Sequence, residues 1–207
     1  MGRAGRNIRA MAWHYRWQGA GSWALAAGCV GATVGLPILL KFSLAVPLYL
    51  LGLGVGLVLF FRGSMLFRQA ARADQGAKGE EAIAKILRQL PSGWKTEFNR
   101  RVHGVGDVDV ILTSPTGKTW TVDIKSQRGT IIDKQGKLYK VLGRNTYALK
   151  KDFIAAAKRQ ALLVRSMDNL RYVTPVICFS SAKVQIGSSI EGVYVISRFK
   201  LFDFFGV

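Results

Sequence analysis

From Gln18 to Leu40, and again from Phe42 to Phe61, the chain carries no charged residue. Both runs are built mainly of Ala, Val, Leu, Ile and Gly. Each is about 20 residues long, the length at which a helix crosses the hydrocarbon core of a bilayer. Little more than Lys41 separates them, and so short a link makes the two helices antiparallel. The reading is a membrane hairpin. A buried soluble hairpin is a poorer reading, because uncharged runs of this length flanked by arginines are rare in soluble domains. A cleaved signal peptide fits less well too, because a long basic segment precedes the first run and a second apolar run follows at once.

Arg3, Arg6, Arg9 and Arg16 precede the first run, and Arg62, Arg68 and Arg72 follow the second. The positive-inside rule then places both termini in the cytoplasm, and a bacterial inner membrane is the expected location. Trp17, Trp23, Phe60 and Phe61 stand near the ends of the runs, where aromatic rings anchor at the interface. Gly31 with Gly35, and Gly52 with Gly56, have the small-residue spacing that lets helices approach closely. The approach is either within the hairpin or between copies in a homo-oligomer. The expected organisation is a basic segment over 1–18, the hairpin over 19–61, a basic, helical connector over 62–75 and a soluble domain over 76–207.

The 207 residues hold 30 Lys and Arg against 12 Asp and Glu, a net charge of +18. Asp74 is the first acidic residue, and from there on 22 basic residues still face 12 acidic ones. Such an excess suits a polyanion, either nucleic acid or an anionic lipid surface. Cys29 and Cys178 lie far apart in apolar runs without metal-ligand spacing, which argues against a disulfide or a zinc site. His14 and His103 are isolated, and His103, beside glycine, reads as a loop residue.

In the soluble part, Ile83, Ile86, Leu87 and Leu90 recur at helical spacing, and Pro91-Ser92-Gly93 ends that helix. Asp107–Thr113 and Thr119–Ser126 read as a strand hairpin around the turn Ser114–Gly117. Gly129–Asp133 and Leu138–Leu142 read as a further strand pair around Gln135-Gly136. Lys150–Met167 is a helix, Val173–Phe179 and Gly192–Ile196 are apolar strands, and Phe199–Phe205 is a short closing helix. The domain is α/β.

Residues two apart on a strand share a face. Asp123 and Lys125 therefore point one way, and Val122 and Ile124 the other. Asp107 and Asp109 share a face opposite Val108 and Val110, with Asp107 better explained as a residue at the strand edge. On the helix, Glu80 falls on the side of Ile83 and Leu87, whereas Glu81 falls almost opposite, where it can pair with Lys85. A carboxylate on the apolar edge of a helix needs a partner, and a cation is one. Carboxylate oxygens hold Mg²⁺ or Mn²⁺, which acidifies a bound water and neutralises charge on an attacked phosphate. A neighbouring lysine positions the nucleophile and stabilises the developing charge.

Gly76-Ala77-Lys78-Gly79-Glu80, then Gly106-Asp107-Val108-Asp109-Val110-Ile111-Leu112, then Val122-Asp123-Ile124-Lys125-Ser126-Gln127-Arg128-Gly129 together resemble the NERD (nuclease-related) domain. That family belongs to the PD-(D/E)xK restriction-endonuclease-like nucleases. The resemblance runs over roughly 76–207 and leaves out the hairpin. It implies a restriction-endonuclease-like mixed sheet core flanked by helices, here preceded by a transmembrane helical hairpin. It further implies metal binding by Glu80, Asp109 and Asp123, a catalytic Lys125, and a part for Gln160 on a later helix. Three positions depart from the family pattern: Asp123 where Glu is usual, Ser126 where Asn is frequent, and Val110 where a polar residue often follows the aspartate. None of them removes a metal ligand. An isolated D-x-K is a weak signal, since such a pair is often a surface ion pair; the ordered set is much stronger.

The expected activity is Mg²⁺- or Mn²⁺-dependent phosphodiester hydrolysis at a membrane, on DNA ahead of RNA. Arg100, Arg101, Arg128, Lys134, Lys150, Lys151, Lys158 and Arg159 are candidates to hold the nucleic-acid backbone. Two other readings compete: a tethered nucleic-acid-binding module without catalysis, and an assembly component of a membrane DNA-transfer or defence system.

Overall fold

The computed structural model describes residues 5–41, 43, 45–102, 106–187 and 189–206; His103 lies outside them. The chain divides into two compact units, Asn7–Gln75 and a sheet domain from Gly76 onward, to which Gly5 also belongs.

In the first unit, helix α1 (Arg6–Val30) passes through a turn of π-helix (Gly31–Gly35) into α2 (Leu36–Leu40). Pro37 has no N–H for the carbonyl four residues before it, so the wider turn falls where the α-helical ladder is already interrupted. Lys41 adopts a left-handed conformation (φ 53°) and ends α2. Helix α3 then runs unbroken over Val46–Leu87, 42 residues, or about 63 Å at 1.5 Å per residue. The second apolar run, the basic connector and the opening helix of the sheet domain are thus one helix.

The two arms are antiparallel, as the short link requires. Trp23 stacks on Phe60 with ring centroids 5.9 Å apart and meets Phe67 at 4.6 Å. A Cβ on Gly56 would sit 3.3 Å from Val30, and one on Gly52 only 1.9 Å from the Thr33 methyl. Gly52 and Gly56 therefore serve close packing inside the hairpin, while Gly31 and Gly35 face open space. Ile38, Leu39, Leu50 and Val58 are each at least 67% exposed. Both arms, Asn7–Leu40 and Val46–Leu87, are long and apolar enough to cross a membrane.

The sheet domain is mixed α/β around seven strands: β1 (Lys95–Val102), β2 (Gly106–Thr113), β3 (Thr119–Lys134), β4 (Lys137–Leu142), β5 (Asn145–Ala148), β6 (Thr174–Gln185) and β7 (Tyr194–Ser197). Strands β1 to β5 are antiparallel neighbours; β6 lies parallel to β3, and β7 parallel to β6. Helix α4 (Phe153–Met167), N-capped by Asp152 through the Ala155 N–H, packs on one face. Ile154, Ala157, Gln160, Ala161 and Val164 form its buried stripe. The end of α3 and the short α5 (Leu201–Phe205) close the other face, with Ile83, Leu87, Leu201 and Phe205 against Val110, Val122, Ile124 and Val176.

Two strands escape the sequence patterns, and both lie at sheet edges. Strand β1 (KTEFNRRV) is charged and β5 (NTYA) is polar and fully exposed. Charge on an edge strand guards against pairing with other chains, and it also hides the apolar alternation. Strand β3 is one continuous element where two were expected. Gly129 (φ +98°) and a bulge between Lys125 and Arg128 let it pass the point that reads as a break.

Candidate active site

Strand β3 pairs with β6 along nearly its whole length, from Trp120 to Ile132. Its other edge is shared by two strands. Strand β2 pairs only with Thr119–Val122, and β4 only with Thr130–Lys134. Between those ladders, residues 123–128 have no paired strand partner on that edge among the described residues. Asp123, Lys125 and Arg128 all fall in this gap.

Asp109 closes the gap at its upper end. The β2–β3 ladder stops at Val110–Val122, and the Ile124 N–H that it leaves without a strand partner donates to Asp109 Oδ2 at 2.7 Å. The side chain thus takes the place of the missing backbone acceptor, which holds Asp109 beside Asp123. Burial, then the Asp123 carboxylate, push the Asp109 carboxyl up to about 7, with Glu80 adding to the rise. The Ile124 N–H and Lys125 oppose the shift.

Asp123 is 5% exposed. Its Oδ1 accepts a 2.7 Å hydrogen bond from Lys125 Nζ, while its Oδ2 is buried and has no partner among the described residues. Lys125 Nζ also lies 5.0 Å from the centre of the Phe153 ring on α4, a cation–π arrangement. The Lys125 carbonyl accepts from Ser180 Oγ at 3.4 Å.

Glu80 comes from α3 and is buried, whereas Glu81 is half-exposed. The glycine before it explains how the helix comes this close: a Cβ on Gly79 would lie 2.6 Å from Ser180 Oγ and 3.4 Å from the Ser126 Cβ. Glu80 Oε2 accepts from the Gly5 N–H at 2.9 Å. Burial raises the Glu80 carboxyl above its ordinary range, against the Gly5 N–H and Lys125, with Asp107 and Glu81 pushing in the same direction as burial.

The donor set fits a hard divalent cation. A buried carboxylate oxygen without a partner and a second carboxylate held partly protonated both gain from a positive charge placed between them. Among the described residues, no three His, Cys, Asp or Glu side chains converge into a ready-made cage. Mg²⁺ keeps several waters and is commonly held by one or two carboxylates, so two aspartates suffice.

The remaining candidates divide. Gln160 is buried on the sheet-facing stripe of α4, and its Oε1 has no partner among the described residues. Arg100 forms a two-pronged ion pair with Asp168 at 2.5 and 2.7 Å, so its charge is committed to joining β1 to the end of α4. Lys158 pairs with Glu191 at 2.5 Å. Arg101, Arg128, Lys150, Lys151 and Arg159 are exposed. Phe153, Ser180 and Gly5 went unnoticed in the sequence, because their part depends on contacts over long sequence separations. Cys178 is fully buried and its thiol is pushed up by burial, which removes it as a nucleophile.

A family profile described as "Nuclease-related domain" (NERD) matches residues 75–180. Comparison with curated proteins finds no match. Among solved structures, the chain is similar to one described as "The structure of Pyrococcus Furiosus SfsA in complex with Ca2+", at 17% identity and a TM-score of 0.28. That likeness covers 59% of this chain and 55% of the other, so the chain spans about half the length of that protein. The family match takes in just over half of the 207 residues and every carboxylate of the site: the chain belongs to the NERD, nuclease-related domain, family.

Proposed function

We propose that this protein is a membrane-anchored, metal-dependent nuclease that hydrolyses phosphodiester bonds, of DNA ahead of RNA. The observation that carries the reading is the buried Asp123 Oδ2, which has no partner among the described residues and belongs to the carboxylate that Lys125 already binds. An acid buried with one oxygen unsatisfied is a costly arrangement in a purely structural role.

Asp109 and Asp123 would hold Mg²⁺ or Mn²⁺, with the Glu80 carboxylate, whose charge reaches Asp109, nearby. When bound, the cation supplies a water of lowered pKa and neutralises charge on the scissile phosphate. Asp123 orients the Lys125 ammonium through their 2.7 Å contact. Lys125 then offers a positive charge and a proton donor to the phosphate oxygens, with the Phe153 ring beside its ammonium. Gln160 brings an amide to the same face of the sheet. Arg101, Arg128, Lys150, Lys151 and Arg159 carry the sequence-independent contacts to the nucleic-acid backbone. The hairpin crosses a bacterial inner membrane twice with both termini in the cytoplasm, and tethering confines cleavage to nucleic acid at the membrane.

A second reading, a tethered nucleic-acid-binding module, is favoured by the absence of a three-ligand cage among the described residues. One assay separates the two. The full chain in neutral detergent is incubated with labelled single- and double-stranded DNA and RNA in Mg²⁺, Mn²⁺ or EDTA, beside Asp123→Ala and Lys125→Ala. Metal-dependent cutting lost in both variants supports the nuclease. A folded protein that never cuts, and whose DNA binding survives Asp123→Ala, is the binding module.

A further inference from the structure

Residues 128–159 hold nine Lys or Arg against two Asp, and one of those, Asp152, is engaged as the N-cap of α4. This stretch contains β4 and β5, which extend the sheet to an edge. The ladder aligns Ile131 with Lys140 and Lys140 with Tyr147, and directly opposed residues on antiparallel strands share a face. Ile131 is buried against Ile154 of α4, so this row starts under the helix and runs outward along one face. There Tyr147 is 49% and the neighbouring Leu142 42% exposed. Strand β4 lies close against β3 here: a Cβ on Gly129 would strike the Val141 carbonyl at 2.4 Å.

A groove of about 600 Å³ lies where the β3–β4 turn meets the start of α4, lined by Lys137, Tyr139, Lys150, Lys151 and Phe153 among others. Phe153 is also the ring that faces Lys125 Nζ. The groove and the Asp123–Lys125 site therefore share a side chain.

We infer that the β4–β5 hairpin is a binding wing for unpaired nucleic acid, with bases stacking on Tyr147 and phosphates met by Lys140, Arg144 and Lys150. The inference rests on the reading of the chain as acting on polynucleotides and adds the substrate class. Base stacking on an exposed aromatic among basic residues recognises single strands, because in a duplex the base faces already cover one another. A second copy docked edge to edge would set this basic hairpin against its own image. A flat lipid surface cannot follow the groove in to Phe153.

The test reads binding, not cleavage. The full chain in neutral detergent and EDTA is titrated by anisotropy with a labelled oligo-thymidine and with a duplex of equal length. Tyr147→Ala weakens the single strand roughly tenfold and the duplex less than about twofold, while Tyr147→Phe restores single-strand binding. Lys140→Ala lowers the salt dependence for the single strand by roughly one counterion. Equal losses for both substrates, no loss for either, or a loss seen only on anionic phosphatidylglycerol vesicles overturns the wing. A chain that binds as stated but never cuts removes the hydrolase reading and leaves the wing. A chain that cuts duplex and ignores Tyr147→Ala does the reverse.

Discussion

The hairpin and the sheet domain break the ordinary rules of a water-soluble protein in opposite ways. The first unit, which holds the hairpin, leaves uncovered 21 of the 28 large apolar side chains that stand exposed among the described residues. The sheet domain leaves seven, yet it buries Glu80 and Asp123. Each departure is accounted for by the partner proposed for that region. Uncovered Leu, Ile and Val along two 20-residue stretches suit lipid, where backbone groups are satisfied within the helices. Buried carboxylates in a break between two strand ladders suit a cation. The same physical principle, that a group placed against its preference has a partner, reads both regions.

Four substitutions or conditions sharpen the contrast. The largest effect is expected from Lys125→Met, which lowers the metal-dependent cleavage rate on the order of a thousandfold and leaves detergent extraction of the hairpin unchanged. A rate within about tenfold of the parent would remove Lys125 from the chemistry.

The next effect is on stability. Because Asp109 is raised from 3.8 to about 7, the folded form binds its proton more tightly than the unfolded chain does. Without divalent cation, the contribution of Asp109 to stability is therefore fully present below about pH 4 and is lost as pH climbs through 7. Mg²⁺ bound as proposed would replace that proton, so it would raise the melting temperature strongly at pH 8 and little at pH 5. Equal Mg²⁺ stabilisation at both pH values would mean that the cation does not sit against Asp109.

Overpacking the hairpin tests the other region. Gly56→Leu drives a side chain into Val30 and the Ala26 carbonyl and costs about 1–3 kcal/mol. It should change Trp23 fluorescence and leave the cleavage rate alone. A fall in rate would show that the hairpin's packing reaches the site. The smallest effect belongs to Arg100→Ala, which removes a partly exposed ion pair with Asp168 worth about 1 kcal/mol. Nucleic-acid affinity should not change; a marked loss would return Arg100 to the binding surface.

Much of this site is legible in the sequence because it depends on short periods. Alternation puts Asp123 and Lys125 on one face, and helical phase turns Glu80 inward and Glu81 outward. What the sequence hides is long-range. Nothing local says that β2 lets go of β3 at Val122, that Asp109 then answers the Ile124 N–H, or that Gly5 reaches Glu80 across 75 positions. Arg100 looks as free as Arg101 until Asp168 arrives from the end of α4. Edge strand β1 stays hidden for another reason: the charge that guards its open edge also erases the pattern by which strands are found.

The most direct test is a Mn²⁺ titration of the full chain in neutral detergent at pH 8, followed by electron paramagnetic resonance, beside Asp123→Asn and Asp109→Asn. The account predicts that the intact protein removes Mn²⁺ from the free pool at a site that Mg²⁺ competes for, and that either substitution weakens it at least about tenfold. Folded variants that bind Mn²⁺ as well as the parent, or a parent that binds none, would contradict it.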